Sequence, residues 1–330
     1  MSRQQNPLIQ VKDLKKYYPV KTGIIPHVTD YVKAVDGVSF SIYEGEILGL
    51  VGESGCGKTT IGKLLTGLEK PTEGAILYRG MDILDWTAKE QKKYRTKIQM
   101  IFQDPYSSLN PRKHIYEILA APMLYHGISD KQTVEKDVKE LLEMVGMPQS
   151  ALGRYPHEFS GGQRQRIGIA RALSLKPEFI VCDEPVSALD VSVQKTIIEL
   201  ITKLQREKNI TIGFICHDIA LIEQCAHQIA VMYLGNVVEV LPGGQLSKDA
   251  VHPYTRALMG SVFDINMDFS KPIENLEGEA PSPLELPKGC PFQGRCTKCM
   301  AICKKEAPQM VSLTPDHQVA CHLYTESVQK

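Results

Sequence analysis

The stretch GESGCGKTT, from Gly52 to Thr60, constrains the fold most, because it matches the spacing G-x-x-x-x-G-K-[ST] of a phosphate-binding loop. It stands between an apolar run, EILGLV, and a segment of helical period that begins near Lys58. Glycines let backbone N–H groups converge on phosphate oxygens, and the start of a helix adds a favourable dipole. We expect Lys58 to reach the β- and γ-phosphates of a nucleotide and the Thr59 hydroxyl to bind Mg²⁺. The candidate nucleotide contacts of this loop are Gly52, Ser54, Gly55, Gly57, Lys58, Thr59 and Thr60.

Strand-like and helix-like segments alternate through most of the chain. The apolar runs EILGLVG, KIQMIFQDP, FIVCDEP and ITIGFICHD predict buried strands, and KTTIGKLLTGL, TVEKDVKELLEMVG, VSVQKTIIELITKLQREKN and IALIEQCAH predict helices. This alternation predicts an α/β domain with a largely parallel sheet. The segment at about 104–163 has helical period and no convincing strand, so we expect a helical subdomain inserted into the sheet domain.

A pair of carboxylates follows one of the predicted strands. FIVCDEP delivers Asp183 and Glu184 to the carboxyl edge of the sheet, where α/β proteins bind their ligands. One carboxylate there can hold Mg²⁺ through water while its neighbour orients and deprotonates the attacking water. We assign Asp183 to the metal and Glu184 to the water.

Between these two elements lies FSGGQRQR, which resembles the signature sequence of ATP-binding cassette ATPases, with Phe159 in place of the usual Leu. FQDP is similar to the Q-loop of that family, SALD to its D-loop and ICHD to its switch region, and all follow in the family's order over about residues 8–265. The resemblance implies an ATPase with a P-loop cassette fold. It also implies that Gln103 contacts the Mg²⁺ or the attacking water, that Asp190 belongs to the D-loop and that His217 contacts the γ-phosphate.

The resemblance further implies that two cassettes pair head to tail. ATP on one phosphate loop is then capped by the signature of the other chain, which here comprises Ser160, Gly161, Gly162 and Gln163. Adenine stacking in the family uses an aromatic residue ahead of the second strand, and DLKKYYPV offers Tyr17 and Tyr18. Alignment favours Tyr18, and packing into the sheet is the alternative for either ring.

Charge and apolar content narrow the class of protein. Lys plus Arg and Asp plus Glu number 38 each, so no net field draws the chain onto nucleic acid or anionic lipid. MSRQQNPLIQVKD lacks the apolar region of a secretory signal, and the chain has no run of about eighteen apolar residues. We therefore expect a cytosolic chain that does not span a membrane, binds no nucleic acid and keeps its nine cysteines as free thiols or metal ligands.

Three further stretches, FQDPYSSLNPR, HPYTRAL and a cysteine-bearing tail, resemble the ATPase subunits of bacterial oligopeptide and dipeptide importers. This resemblance implies ATP hydrolysis that powers peptide uptake from the cytoplasmic face of the cell membrane. The implied partners are transmembrane subunits, a second ATPase subunit that is identical or related, and indirectly an extracytoplasmic peptide-binding protein. An importer of nickel or another small solute, and a soluble cassette ATPase not coupled to transport, are the alternatives.

The alternation of strands and helices ends near residue 265, which closes the predicted nucleotide-binding domain, residues 1–265. Residues 266–288 are dominated by Pro and Glu and predict a linker. Residues 289–330 predict a small cysteine-rich C-terminal domain. A unit of this size buries too little apolar surface to fold alone, so we expect a staple such as a metal.

Five cysteines crowd this tail, and free thiols, a Cys₄ zinc site and an iron–sulfur cluster are the three interpretations. Structural zinc usually draws on C-x₂₋₄-C pairs, and only Cys296 with Cys299, or Cys299 with Cys303, provides that spacing. Wider loops suit a cluster held by four thiolates. Similar tails in the importer family carry the cysteines that match Cys290, Cys296, Cys303 and Cys321 and are associated with a [4Fe–4S] cluster, so Cys299 is expected to be a bystander. The other cysteines, Cys56, Cys182, Cys216 and Cys225, are predicted to be packing residues.

Overall fold

The computed structural model describes residues 6–23, 26–260, 278, 281–284 and 286–325. Its strands are β1 (Ile9–Thr22), β2 (His27–Ile42), β3 (Ile47–Val51), β4 (Glu73–Tyr78), β5 (Met81–Asp82), β6 (Ile98–Ile101), β7 (Phe179–Asp183), β8 (Thr211–Ile215), β9 (Gln228–Tyr233), β10 (Asn236–Pro242), β11 (Val311–Thr314) and β12 (His317–Val319). Its helices are α1 (Lys58–Leu65), α2 (Ala88–Lys97), α3 (Pro105–Ser108), α4 (Ile115–Tyr125), α5 (Val134–Met144), α6 (Gly161–Leu173), α7 (Val191–Lys208), α8 (Ile219–Cys225), α9 (Leu246–Asp249) and α10 (Pro253–Gly260). The predicted linker, residues 266–288, lies largely outside the described residues.

The larger sheet contains eight strands in the order β11-β12-β10-β9-β3-β8-β7-β6. Strand β3 is parallel to β8 and β9, and β7 is parallel to β6 and β8. Every residue of β3, β7 and β8 is buried, as expected for strands covered on both faces. The four strands predicted from the apolar runs are therefore confirmed, together with the α/β class and the parallel core.

A second, antiparallel sheet has the order β2-β1-β4-β5. The alternation of strands and helices did not predict this sheet. Helix α1 lies between the two sheets, since Ile61 and Leu64 share one apolar cluster with Leu50 of β3 and Val35 of β2. The contact is close, because a Cβ at Gly62 would come within 3.1 Å of Val181 on β7. Both sheets thus fix the helix that begins at the phosphate loop.

The segment between β6 and β7 is helical. All of residues 104–163 are described, and they hold α3, α4, α5 and two short 3-10 helices but no strand. Ile115 and Leu119 of α4, Val138 and Leu142 of α5, and Ile167 of α6 are buried in one cluster. The helices and their apolar contacts agree with the sequence pattern, while the division of the chain into a separate subdomain stays a prediction.

The C-terminal residues extend the larger sheet. Strand β12 pairs antiparallel with β10, with Val319 opposite Glu239, and β11 pairs antiparallel with β12. The buried Glu239 carboxylate lies 2.8 Å from Nε2 of His317, which ties β12 to β10 through side chains as well. The tail therefore packs directly on the sheet that carries the phosphate loop.

None of the helices in the described part of the chain is long and apolar enough to cross a membrane. The longest of them, α7, spans 18 residues. It carries two ion pairs at i,i+4 spacing, Lys195 with Glu199 and Lys203 with Glu207.

Candidate functional site

The phosphate loop runs from the end of β3 to the start of α1, and two of its glycines are required by close backbone packing. Gly52 has φ 150°, and a Cβ there would lie 2.2 Å from the carbonyl oxygen of Met232. Gly57 has φ 103°, and a Cβ there would lie 2.1 Å from the carbonyl oxygen of Ala34. No side chain can replace glycine at either position without moving the backbone. The loop is therefore held in one shape by β9 and β2.

The middle of the loop is exposed to solvent, whereas its lysine, Lys58, is buried. Ser54 and Gly55 are exposed, and a Cβ at Gly55 would meet no heavy atom within 4 Å. Lys58 is only 5% exposed, and its Nζ donates to the carbonyl oxygens of Gly52 at 2.7 Å and Glu53 at 2.9 Å. An ammonium group in a glycine-rich loop at the start of a helix is suited to a bound phosphate.

Two oxygen ligands suited to Mg²⁺ meet at the end of the loop. The Thr59 hydroxyl donates to Oδ1 of Asp183 across 2.9 Å. Burial raises the pKa of Asp183. The hydrogen bond from Thr59 opposes this rise, and the negative charge of Glu184 adds to it. A cation at this position would favour the carboxylate form, and hydroxyl and carboxylate oxygens are ligands that Mg²⁺ prefers. The donor set therefore fits the metal that the sequence predicted.

The Glu184 carboxylate lies at the centre of the predicted hydrolytic residues. Its Oε2 accepts a hydrogen bond of 2.8 Å from Nε2 of Gln103 and lies 3.7 Å from Nδ1 of His217. The backbone of Glu184 has φ 43°, in the left-handed region that glutamate rarely adopts, and its N–H donates to the carbonyl oxygen of Ile215. Strained backbone of this kind concentrates at functional sites. The loops after β6, β7 and β8 thus bring one residue each to the same point.

The turn from Ser160 to Gln163 starts α6. Its hydrogen bonds lie within the turn itself. The Ser160 hydroxyl accepts from the Gln163 N–H at 3.4 Å, and Oε1 of Gln163 accepts from the Ser160 N–H at 3.0 Å, which forms a capping box. A Cβ at Gly161 would lie 3.2 Å from Leu189, and one at Gly162 would lie 2.5 Å from Val193. The start of α6 therefore packs against the segment before α7 and the first turn of α7.

Tyr18 lies beside the phosphate loop on β1. Its hydroxyl donates to the Glu69 carboxylate and is also in hydrogen-bond contact with the side chain of Thr60. Burial, followed by the contact with Glu69, raises the pKa of Tyr18 to about 12. The neighbouring Tyr17 instead donates to Asp36, so only Tyr18 of the two is held against α1.

Two family descriptions match separate parts of the chain, and the first of these parts contains most of this site. The description "ABC transporter" matches residues 35–187, and "Oligopeptide/dipeptide transporter, C-terminal region" matches residues 238–303. The oligopeptide transport ATP-binding protein AppF of Bacillus subtilis is 48% identical over 97% of this chain and 98% of its own length. The chain belongs to the ATP-binding cassette ATPases, among the oligopeptide and dipeptide transport ATP-binding proteins.

Other relatives of this cassette ATPase are also named as peptide transport ATP-binding proteins. OppF of Salmonella typhimurium, an oligopeptide transport ATP-binding protein, is 45% identical over 96% of each chain. The dipeptide transport ATP-binding protein DppF of Escherichia coli is 45% identical over 93% of this chain and 91% of its own. Among solved structures, the dimeric post-hydrolysis state of the ATP-binding cassette MJ0796, bound to ADP and Pi, superposes with a TM-score of 0.62 at 30% identity, covering 71% of this chain and 98% of that one.

The C-terminal region of this cassette ATPase gathers the four predicted cysteines around one small cavity. Cys290, Cys296, Cys303 and Cys321 all line it, whereas Cys299 is not among the lining residues. Burial, and then the neighbouring thiols of Cys303, Cys321 and Cys296, raise the pKa of Cys290 to about 12. Within the described ranges, no group of three or more His, Cys, Asp or Glu side chains forms a ready metal site.

The cysteines of the nucleotide-binding part pack in the interior. Cys182 and Cys216 are buried in one core cluster and Cys56 in the other, and Cys225 packs against the first. Burial raises the pKa of Cys216 and of Cys225 to about 11 in each case, so both remain thiols at neutral pH. This agrees with the packing role expected from the sequence.

Sequence reasoning missed three residues at the phosphate loop. Glu53 lies within the loop itself, and both Tyr254 and Arg295 contact it from the C-terminal part of the chain. Tyr254 lies in HPYTRAL and Arg295 lies in the cysteine-bearing tail. Neither stretch has a local pattern that indicates a contact with a loop more than 200 residues away in the chain.

Proposed function

We propose that this ATPase powers the import of di- and oligopeptides through separate membrane subunits. The observation that carries the proposal is the convergence of Gln103 and His217 on the Glu184 carboxylate, next to Asp183 and the phosphate loop. A site of this kind is built to hydrolyse a bound nucleotide. The peptide cargo is supported by the relatives, whose names specify oligopeptide or dipeptide transport and whose whole length this chain matches.

The residues of the site divide the chemistry among them. Lys58 exchanges its bonds to the loop carbonyls for the β- and γ-phosphate oxygens and neutralises their charge. Glu184 accepts a proton from the attacking water, and Gln103 and His217 orient the carboxylate and the γ-phosphate. Thr59 and Asp183 would hold Mg²⁺, which supplies charge stabilisation to the triphosphate when bound. Tyr18, beside Thr60, stacks on the adenine ring.

The site is completed by a second ATPase subunit. Ser160, Gly161, Gly162 and Gln163 of that subunit cap the ATP held on this chain's phosphate loop, and the start of α6 directs its positive dipole end at the γ-phosphate. Support comes from the cassette MJ0796, whose structure is dimeric in a post-hydrolysis state with ADP and Pi. Either an identical chain or a related ATPase can fill this place.

The helical segment 104–163 forms a subdomain that docks on the cytosolic helices of the membrane subunits, which keeps the chain on the cytoplasmic face of the cell membrane. Aromatic side chains next to Gln103 and on α4 support this surface. Phe102, Tyr106 and Tyr125 are exposed by 36, 62 and 70%, respectively. Phe102 and Tyr106 are four positions apart in the chain, and exposed aromatic residues are enriched at protein interfaces.

Residues 289–330 form a C-terminal unit that holds a [4Fe–4S] cluster through Cys290, Cys296, Cys303 and Cys321. The proposal is supported by the shared cavity of these four thiols and by the absence of Cys299 from its lining. The cysteine donor set fits iron as well as zinc, and the wide spacing of the four residues favours the larger group. A bound cluster would staple the tail.

Co-purification and ATPase assays test the proposed function. Integral membrane subunits are expected to co-purify with this chain, and peptide-loaded binding protein is expected to stimulate ATP hydrolysis by the complex in proteoliposomes. A chain that hydrolyses ATP at the same rate with and without these partners would indicate the soluble class of cassette ATPase. Stimulation by nickel and not by peptide would indicate the metal-importing class.

A further inference from the structure

Glu53, the second residue of the phosphate loop, is held through three of its groups by other parts of the chain. Its N–H donates to the hydroxyl of Tyr254 at 3.0 Å. Its carbonyl oxygen accepts from Nζ of Lys58 at 2.9 Å. Its carboxylate accepts from both terminal nitrogens of Arg295, at 2.7 and 3.0 Å. The backbone and the side chain of this loop residue are therefore fixed together.

The side chain of Arg295, which binds Glu53, is itself buried and held by a further contact. Its side chain is 7% exposed, and one terminal nitrogen lies 3.4 Å from the hydroxyl of Tyr233 at the end of β9. The rings of Tyr233, Tyr254 and Phe292 pack against one another with centroids 4.6 to 5.4 Å apart. A two-pronged arginine–carboxylate pair in such a setting fixes geometry as well as charge.

The position of the carboxylate gives this pair a consequence for nucleotide binding. Glu53 is a negative charge on a loop that receives a triphosphate, so without a neutralising partner it would oppose the ligand. Lys58 does not neutralise this carboxylate, because its Nζ contacts the Glu53 carbonyl oxygen instead. Lys58 is also expected to give up that contact when it reaches a phosphate. Arg295 and Tyr254 instead contact the carboxylate and the N–H of Glu53, and neither contact involves Lys58.

We infer that Arg295 is a positioning residue for ATP, which neutralises Glu53 and, together with Tyr254, holds the phosphate loop in its binding shape. The C-terminal part of the chain is thereby a working part of the nucleotide site. This inference rests on the proposed assignment of residues 52–60 to the nucleotide. Arg295 precedes Cys296 directly, so the segment that lines the cysteine cavity is also the one that reaches the loop.

Equilibrium binding of ATP to purified variants of the full chain tests the inference. Arg295→Met is expected to weaken ATP binding about 10-fold, since it leaves a half-buried carboxylate unpaired beside the phosphates. Glu53→Gln removes that carboxylate, and the Glu53→Gln/Arg295→Met double variant should regain most of the lost affinity. Lys305→Met, an exposed charge of the same tail, removes the same net charge and should bind ATP like the wild type.

The pattern across variants separates positioning from a general loss of structure. Recovery in the double variant requires a charge effect at the loop, because two merely structural losses would add. Equal ATP affinity in Arg295→Met and wild type would overturn the inference, and so would weaker binding by the double variant than by Arg295→Met. If Arg295→Met does not fold, Arg295→Lys takes its place: this variant keeps the charge but not the two-pronged contact, so it should bind ATP more weakly than the wild type, and an affinity equal to that of the wild type would overturn the inference. Lys58→Ala distinguishes the underlying assignment: if it too binds ATP normally, the nucleotide site itself lies elsewhere.

Discussion

Gln103 and Glu184 are 81 residues apart in the chain, and a hydrogen bond of 2.8 Å joins the amide of the first to the carboxylate of the second. The contact exists because β6 and β7 are parallel neighbours, so the loops that follow them leave the sheet at the same edge. The Glu184 carboxylate is consequently held by an uncharged donor. Under the proposed function, ATP hydrolysis depends on Glu184.

Replacing Glu184 with Gln is expected to slow ATP turnover by about 10²–10⁴-fold while ATP binding is kept, because only the proton acceptor is lost. ATP should then hold the closed dimer, which size-exclusion chromatography can detect. Glu207→Gln, at an exposed site on α7, is the matched control and should hydrolyse ATP normally. Near-normal turnover by purified Glu184→Gln would remove Glu184 from the mechanism.

Replacing Lys58 with Ala is expected to weaken nucleotide binding, since it removes the buried cation beneath the loop. The dimer model adds a sharper test. If the chain pairs with itself, a chain with Lys58→Ala mixed with a chain altered at Ser160 can form one intact composite site, so the mixture should hydrolyse ATP faster than either variant alone. The trans-site model fails if substitutions of Ser160 leave hydrolysis and ATP-driven pairing untouched.

Anaerobically purified protein is expected to be brown and to contain iron and acid-labile sulfide in near-equal amounts. Serine substitution at Cys290, Cys296, Cys303 or Cys321 should remove both, whereas Cys299→Ser should keep both, because only the first four line the shared cavity. Metal analysis and sulfide assay on the same preparations make the measurement. Stoichiometric zinc without sulfide would identify the tail as a zinc module.

Glu178 provides a prediction on stability. Burial would raise its pKa, but hydrogen bonds from Tyr78, Lys97 and Arg79 outweigh it and lower the pKa to about 2, against 4.5 for an ordinary glutamate. The carboxylate therefore stabilises the fold above about pH 4.5, and this contribution disappears as the pH falls toward 2. Glu178→Gln should lower the free energy of unfolding at pH 7 by about 1–2 kcal/mol.

The gap between Glu178→Gln and wild type in urea unfolding should narrow when the pH is lowered to about 3. Glu140→Gln, which breaks an exposed pair with Lys136, is the control and should change the free energy of unfolding little at either pH. A gap for Glu178→Gln that is the same at both values of pH would show that its carboxylate is not what stabilises the folded state.

The parallel core could be predicted because its strands are short, fully apolar and followed by polar residues at one edge. The antiparallel sheet could not, because β1 departs from simple alternation. Its pairing with β2 shifts between Val11 and Leu14, and Asp13 there has φ 43°. A bulge of this kind moves the buried side of a strand by one residue and hides the period of two.

The meeting of Gln103 and His217 at Glu184 could be expected from the sequence, since each of these groups follows a strand in a recognisable motif. The contacts of Glu53 could not. Glu53 and Arg295 are 242 residues apart, and their meeting depends on how the tail packs on β9 and β10. Pairings at such separation are set by tertiary packing and have no local signal in the sequence.

Uptake of a radiolabelled tripeptide by cells that lack this gene tests the central claim most directly. Peptide uptake should be lost in the deletion strain, restored by the wild-type chain and by Glu207→Gln, and not restored by Glu184→Gln, while nickel uptake stays unchanged throughout. Undiminished peptide uptake in the deletion strain, or equal restoration by Glu184→Gln, would contradict the claim that ATP hydrolysis by this chain powers peptide import.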